Sequence, residues 1–125
     1  MLRGEGDLLM KRIRSGSIGV AQGSRMLFSD FADGGAMWTG SGPRESRHIV
    51  SFREKFLEPP SVMASISMWD LDQKTNTRAD ISAENVTTKG FHLVFRTWGD
   101  TRVARIRADW LAIGPVKDED DWDVD

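Results

Sequence analysis

From Arg47 to Ala112 polar and apolar residues alternate in short runs, each closed by glycine, proline, asparagine or aspartate. A period of two fits half-buried strands and excludes amphipathic helices, whose apolar positions recur every three to four residues. In Arg78–Glu84, the residues Arg78, Asp80, Ser82 and Glu84 fall on one face, and Ala79, Ile81 and Ala83 fall on the other. Between Phe91 and Trp98, Phe91, Leu93 and Phe95 oppose His92, Val94 and Arg96. The last run sets Ala104, Ile106, Ala108, Trp110 and Ala112 on an inward face, against Val103, Arg105, Arg107, Asp109 and Leu111. Gly114-Pro115 is expected to end it. Upstream, His48, Val50 and Phe52 alternate with Arg47, Ile49 and Ser51, and Pro59-Pro60 stops that run because proline has no N–H for a ladder.

Val62–Trp69 is apolar on both faces, which predicts a central strand covered on each side. The first third of the chain reads differently. Nine of the twelve glycines lie between Gly4 and Gly42, and helical spacing is confined to Leu8–Ile13. Within this region Ser17–Gln22 is predicted as a strand, and Phe28–Trp38 as a loop-rich connection anchored by its aromatics. About six strands and no helix long enough for a parallel crossover predict an all-β fold, a six-stranded antiparallel β-sandwich, with a barrel as the alternative.

A chain of 125 residues is the size of one domain. Residues 1–14 read as an N-terminal extension, 15–115 as the sandwich, and 116–125 as an acidic tail expected to be disordered. The net charge of -2 is uneven: Asp118, Glu119, Asp120, Asp121, Asp123 and Asp125 crowd the last eight residues, while the strands before them are rich in arginine. Those arginines alternate with acids and form no continuous basic stripe, so nucleic acid is not an expected partner. No apolar run is long enough to insert across a bilayer. With no cysteine, disulfides, thiolate chemistry and cysteine-based zinc sites are excluded. Met1–Lys11 lacks the basic region and long apolar stretch of a secretory signal, and the cellular location stays open. Asp80 and Glu84 on one strand complement Arg105 and Arg107 on another, either as a pairing device within a sheet or between subunits, or as a solvated face.

Catalytic patterns are missing. His48 and His92 stand on strands without metal-ligand spacing, no Gly-x-Ser-x-Gly elbow occurs, and Asp30, Asp33, Asp70 and Asp72 do not follow a calcium-loop spacing. Neither metal nor cofactor is expected, nor an enzyme. Two corners stand out, Ser67–Asp72 and Thr97–Arg102, each placing a tryptophan beside an aspartate at a strand end: Trp69 with Asp70, and Trp98 with Asp100. An aromatic face stacks on the apolar patch of a pyranose while carboxylates and guanidinium groups fix its hydroxyls. Buried tryptophans with acids capping turns would give the same pattern, and composition leaves both readings open.

The stretch from Gly42 to Gly114 resembles the H-type lectin family, known from snail agglutinin and the C-terminal part of slime-mould discoidins. The resemblance rests on Phe52, Pro59-Pro60-Ser61-Val62, Ser65-Ile66-Ser67, Asp70, Arg78, the Asn85–Phe91 turn, Thr97-Trp98, Thr101, Val103 and Trp110–Gly114, with no gap between Phe52 and Trp110. It implies a homotrimer of parallel sandwiches that holds a glycan, of galactose or N-acetylgalactosamine type, in clefts between protomers. Arg78 then matches the arginine that binds the sugar, and Trp98 the aromatic supplied by the neighbour. Gly99 stands where the snail protein has histidine, and Ser41 where an aspartate is expected. Asp100 or Asp70 is the candidate replacement carboxylate, with Trp69 beside the latter. A carbohydrate-binding module without catalysis is thus the expected function. The alternative is a structural or protein-interaction trimer module of a larger bacterial or phage-like surface assembly.

Overall fold

The alternating runs pair into two antiparallel sheets, seen in a computed structural model that describes residues 10–13 and 16–118. In chain order the elements are β1 (Ser17–Ser29), a single helical turn α1 (Ala36–Thr39), β2 (Arg44–Ser51), β3 (Ser61–Leu71), β4 (Asp80–Glu84), β5 (Gly90–Thr97) and β6 (Val103–Val116). The first sheet has the order β1-β6-β3, and the second the order β2-β5-β4. The two stack as a sandwich.

β5 and β6 are the middle strands of their sheets, and their inward faces make the core as their alternation predicts, except that Val103, placed by alternation on the outward face, is also wholly buried in it. Leu93, Phe95, Ile106 and Ala108 are fully buried, with Phe91, Leu27, Met37 and Val50 around them. Each large apolar side chain so buried contributes roughly 1.5–3 kcal/mol. At one end the sheets are joined by aromatics: Phe91 of β5 meets Trp110 of β6 edge-on at 5.3 Å, and Phe52 lies 5.9 Å from Phe91 and 6.0 Å from Trp110. The indole needs room on β1. A Cβ at Gly23, which is paired with Trp110, would lie 2.8 Å from the ring, so this position is small of necessity.

Several boundaries differ from those read in the sequence. β1 continues past Gln22 to Ser29, because an irregularity between Met26 and Phe28 keeps it in register with β6 and lets Phe28 pack 5.5 Å from Phe95. The connection after it is correspondingly shorter and contains α1. Val62–Trp69 lies in an edge strand, not a central one: β3 pairs only with β6, and its outward Met63 and Trp69 are 70% and 61% exposed. Apolar residues on both faces are here a sign of an uncovered surface.

Gly114-Pro115 does not end β6, which runs to Val116. The Pro115 carbonyl accepts from the Leu57 N–H at 2.8 Å, so its nitrogen also faces away from β1, on the side where pairing with β3 has ended at Ile113. No ladder bond is lost there. Met10–Ile13 is not helical, and Leu8 and Leu9 lie outside the described residues, as does the acidic tail from Glu119. The complementary charges of β4 and β6 do not pair within a sheet, since these strands belong to different sheets. Arg105 meets Asp70 at 3.2 Å and Arg107 donates to Ser67 at 3.0 Å, whereas Glu84 meets Arg96 and Arg47.

Ile106→Ala removes a wholly buried side chain where both sheets touch it. We expect a loss of about 2–5 kcal/mol in urea or guanidinium denaturation.

Candidate functional site

The segment that precedes β4 is tied to both ends of the β5–β6 connection by two buried threonines. Thr97 Oγ1 donates to the Arg78 carbonyl at 2.5 Å, and Thr101 Oγ1 donates to the Asn76 carbonyl at 2.5 Å. With its backbone held, Arg78 sends Nη1 to Asp100 Oδ1 at 2.5 Å and to Thr101 Oγ1 at 3.4 Å. The Arg78 hydrogen bond holds the Asp100 carboxyl below its ordinary range. Gly99 sits between them with φ +68°, and a Cβ there would lie 2.9 Å from Arg78 Nη1. A side chain at this position conflicts with both the backbone and the arginine.

Another segment closes on the same point. The Gly42 N–H donates to the Gly99 carbonyl at 2.9 Å, and Arg44 Nη2 donates to the same oxygen at 3.2 Å. Arg44 also donates to the Gly42 and Met37 carbonyls, which fixes α1 and the exposed Ser41 turn against the corner. Ser41, Arg78, Trp98, Gly99 and Asp100 are therefore brought together. Trp69 and Asp70 are not: they stand on the first sheet, where Asp70 is paired with Arg105, and among the described residues no hydrogen bond or ion pair joins them to the Arg78 group. Trp98 is 45% exposed and Trp69 61%, so neither is the buried tryptophan of the packing alternative.

Beside Trp98 the outer face of the second sheet holds a cleft of about 350 Å³, lined by Pro43, Arg44, Glu45, Asp80, Arg96, Thr97 and Trp98. Next to it lies an ionic lattice. Arg96 reaches Glu84 at 2.6 Å and Glu45 at 3.1 Å, and Arg47 reaches the same acids at 3.2 and 3.1 Å. Hydrogen bonds from Arg96, Ser82 and Arg47 lower the Glu84 carboxyl from 4.5 to about 2, and Glu45 is lowered chiefly by Arg47. Glu45, Asp80 and Arg96 carry no signal in the sequence beyond that of a charged strand face, and Pro43 none beyond that of a turn. Only the order β2-β5-β4 gathers them around an exposed indole.

Elsewhere the polar candidates have structural partners. Asp30 accepts the Met37 N–H and Asp72 the Lys74 N–H, both at 3.0 Å, and His92 Nδ1 lies 3.0 Å from Arg47 Nη1. Burial, with Arg25 nearby, holds the half-buried His48 below its ordinary value. Among the described residues no group of three His, Cys, Asp or Glu is placed to hold a metal ion.

The sequence pattern of the H-type lectin domain matches residues 47–113, more than half of the chain. The chain belongs to the H-type lectin family. Its relatives in this family of carbohydrate-binding domains include a discoidin-1 polypeptide of Dictyostelium discoideum, 41% identical over 81 residues, which cover 64% of this chain and 32% of that protein. The solved structure of discoidin II from the same organism superposes with a TM-score of 0.70 at 28% identity, over 86% of this chain and 40% of that one. A protein of Fuscovulum blasticum described as "ATP synthase subunits region ORF 7" is 64% identical over 109 residues, covering 87% of this chain and 95% of its own length. This H-type lectin chain thus spans nearly all of the Fuscovulum protein but only about a third of the discoidin. The matched residues include both threonine tethers and the Arg78 corner, while β1 and α1 lie before them.

Two tests follow from the corner and the lattice beside it. Gly99→Ala forces a positive φ on a residue with a Cβ and displaces Arg78, at an expected cost of about 1–3 kcal/mol in denaturant unfolding. Because Glu84 titrates lower in the folded chain than its ordinary 4.5, its ion pairs stabilise the fold fully above that value and are lost as pH falls toward about 2. In an acid titration followed by circular dichroism, Glu84→Gln should be less stable than wild type at pH 7. The difference should shrink between pH 4.5 and 2.

Proposed function

We propose that this chain is a non-catalytic lectin module that binds glycans of galactose or N-acetylgalactosamine type in clefts between the protomers of a homotrimer. The observation that carries this reading is Trp98, an indole left 45% exposed at a corner whose other side chains, Arg78, Asp100 and Ser41, are all hydrogen-bonding groups. An apolar ring face beside fixed polar groups suits a pyranose, which is itself apolar on one face and polar at its rim. Arg78 is held by its backbone at Thr97 and by its side chain at Asp100 and Thr101, so little side-chain freedom is left to lose on binding. Three such sites facing a glycan-coated surface would multiply a weak single-site affinity.

Self-association is supported by the outer face of the first sheet. Ile18, Val20, Met63, Leu111 and Ile113 are all exposed there, with Val20 paired to Ile113 and Met63 to Leu111 across the register. Contiguous apolar surface of this kind is what an interface covers. The same face favours the second reading, a structural or interaction module of a larger surface assembly, in which the trimer would present a docking platform and the tryptophans would be protein contacts.

A glycan array on the purified protein, with its mass measured by light scattering, separates the two. The lectin reading expects selective binding by a trimer, and a loss of about tenfold or more in affinity for Trp98→Ala and Arg78→Ala with the trimer intact. An intact trimer that binds no glycan would decide for the structural module.

A further inference from the structure

We propose that Asp80 is the residue that selects the sugar: its carboxylate, in the cleft beside Trp98, accepts hydrogen bonds from the hydroxyls of a neutral hexopyranose stacked on that indole. This assignment rests on the lectin reading above and deepens it. The carboxylates expected from sequence to orient hydroxyls are already engaged, Asp100 by Arg78 at 2.5 Å and Asp70 by Arg105 at 3.2 Å. Glu45 shares Arg47 and Arg96 with Glu84. Asp80 differs from all of these. It lines the cleft and is exposed, and among the described residues its side chain makes no hydrogen bond or ion pair, although Arg96 stands directly opposite it in the register of β4 and β5. Arg96 is turned away, held by Glu45 and Glu84.

The geometry favours a neutral polyol. A cleft of about 350 Å³ lies within the range of roughly 300–1,000 Å³ for small-molecule sites. An exposed indole with a free carboxylate would also attract an ammonium group, but Arg44 and Arg96 among the lining residues offset the acids Glu45 and Asp80 and so oppose the capture of a cation. A hydroxyl-bearing ring meets no such opposition. A carboxylate accepts in fixed directions, so it distinguishes an axial from an equatorial hydroxyl on the same ring, and a lost bond to a charged acceptor weakens binding by about 10- to 100-fold.

The test is calorimetric titration of the full chain with galactose, N-acetylgalactosamine, glucose, N-acetylglucosamine and mannose, with choline as a cationic probe. Wild type is compared with Asp80→Asn, which keeps the shape, and Asp80→Ala, after both variants are shown by circular dichroism to be folded. The proposal expects one epimer to be preferred by wild type, and both variants to lose about 10- to 100-fold for it while the preference between epimers flattens. Variants that retain affinity and preference overturn the role of Asp80 and leave the lectin reading standing. Choline bound in place of sugars overturns it as well. A wild type silent to every sugar, on the array as in solution, overturns both.

Discussion

The contact on which the rest depends is the burial of β5 against β6, the middle strands of the two sheets. Leu93, Phe95, Ile106 and Ala108 meet there without access to water, and Phe91 against Trp110 closes one end. Sheets packed face to face lie about 10 Å apart, a gap that large side chains on one must fill against smaller ones on the other. Here aromatics from β5 face alanines and isoleucine from β6. With the two middle strands fixed, the connection between them, Trp98 to Arg102, has little freedom in where it emerges. The corner is placed by the core.

That placement explains why so many of its bonds run to backbone atoms. Thr97 and Thr101, at the ends of the connection, are buried and each donates to a carbonyl of the segment before β4, while the Gly99 carbonyl receives Gly42 and Arg44. Buried hydroxyls must be paired, and pairing them with backbone fixes the chain rather than a side chain that could rotate. The result is a rigid frame around an exposed indole, a half-buried guanidinium already oriented, and an exposed carboxylate. Rigid support with exposed chemistry is the arrangement that binding a small, polar ligand calls for.

Much of this was legible in the residues. Strict alternation located the inward faces of β4, β5 and β6 apart from Val103, which is buried in the core, and the pairing of Trp98 with polar neighbours marked its corner. Other features were not. β3 was read as central because its outward residues are apolar, and sequence does not distinguish a face covered by another sheet from one left open. Gly23 to Ser29 does not read as strand because glycine, serine and arginine weaken alternation there, although β6 supplies a partner along its whole length. Trp69 and Asp70 looked equivalent to Trp98 and Asp100, yet they stand on the other sheet, beside Arg105.

Sequence by itself determined the fold class, the absence of disulfides and the family, because each depends on local period or on residue type. Only the tertiary structure decided which charges are free. Asp80, Glu84, Asp100 and Asp70 are alike on paper, and what separates them is whether an arginine from another segment reaches them first. That depends on sheet order and register, which bring together residues far apart in the chain and which no local pattern encodes.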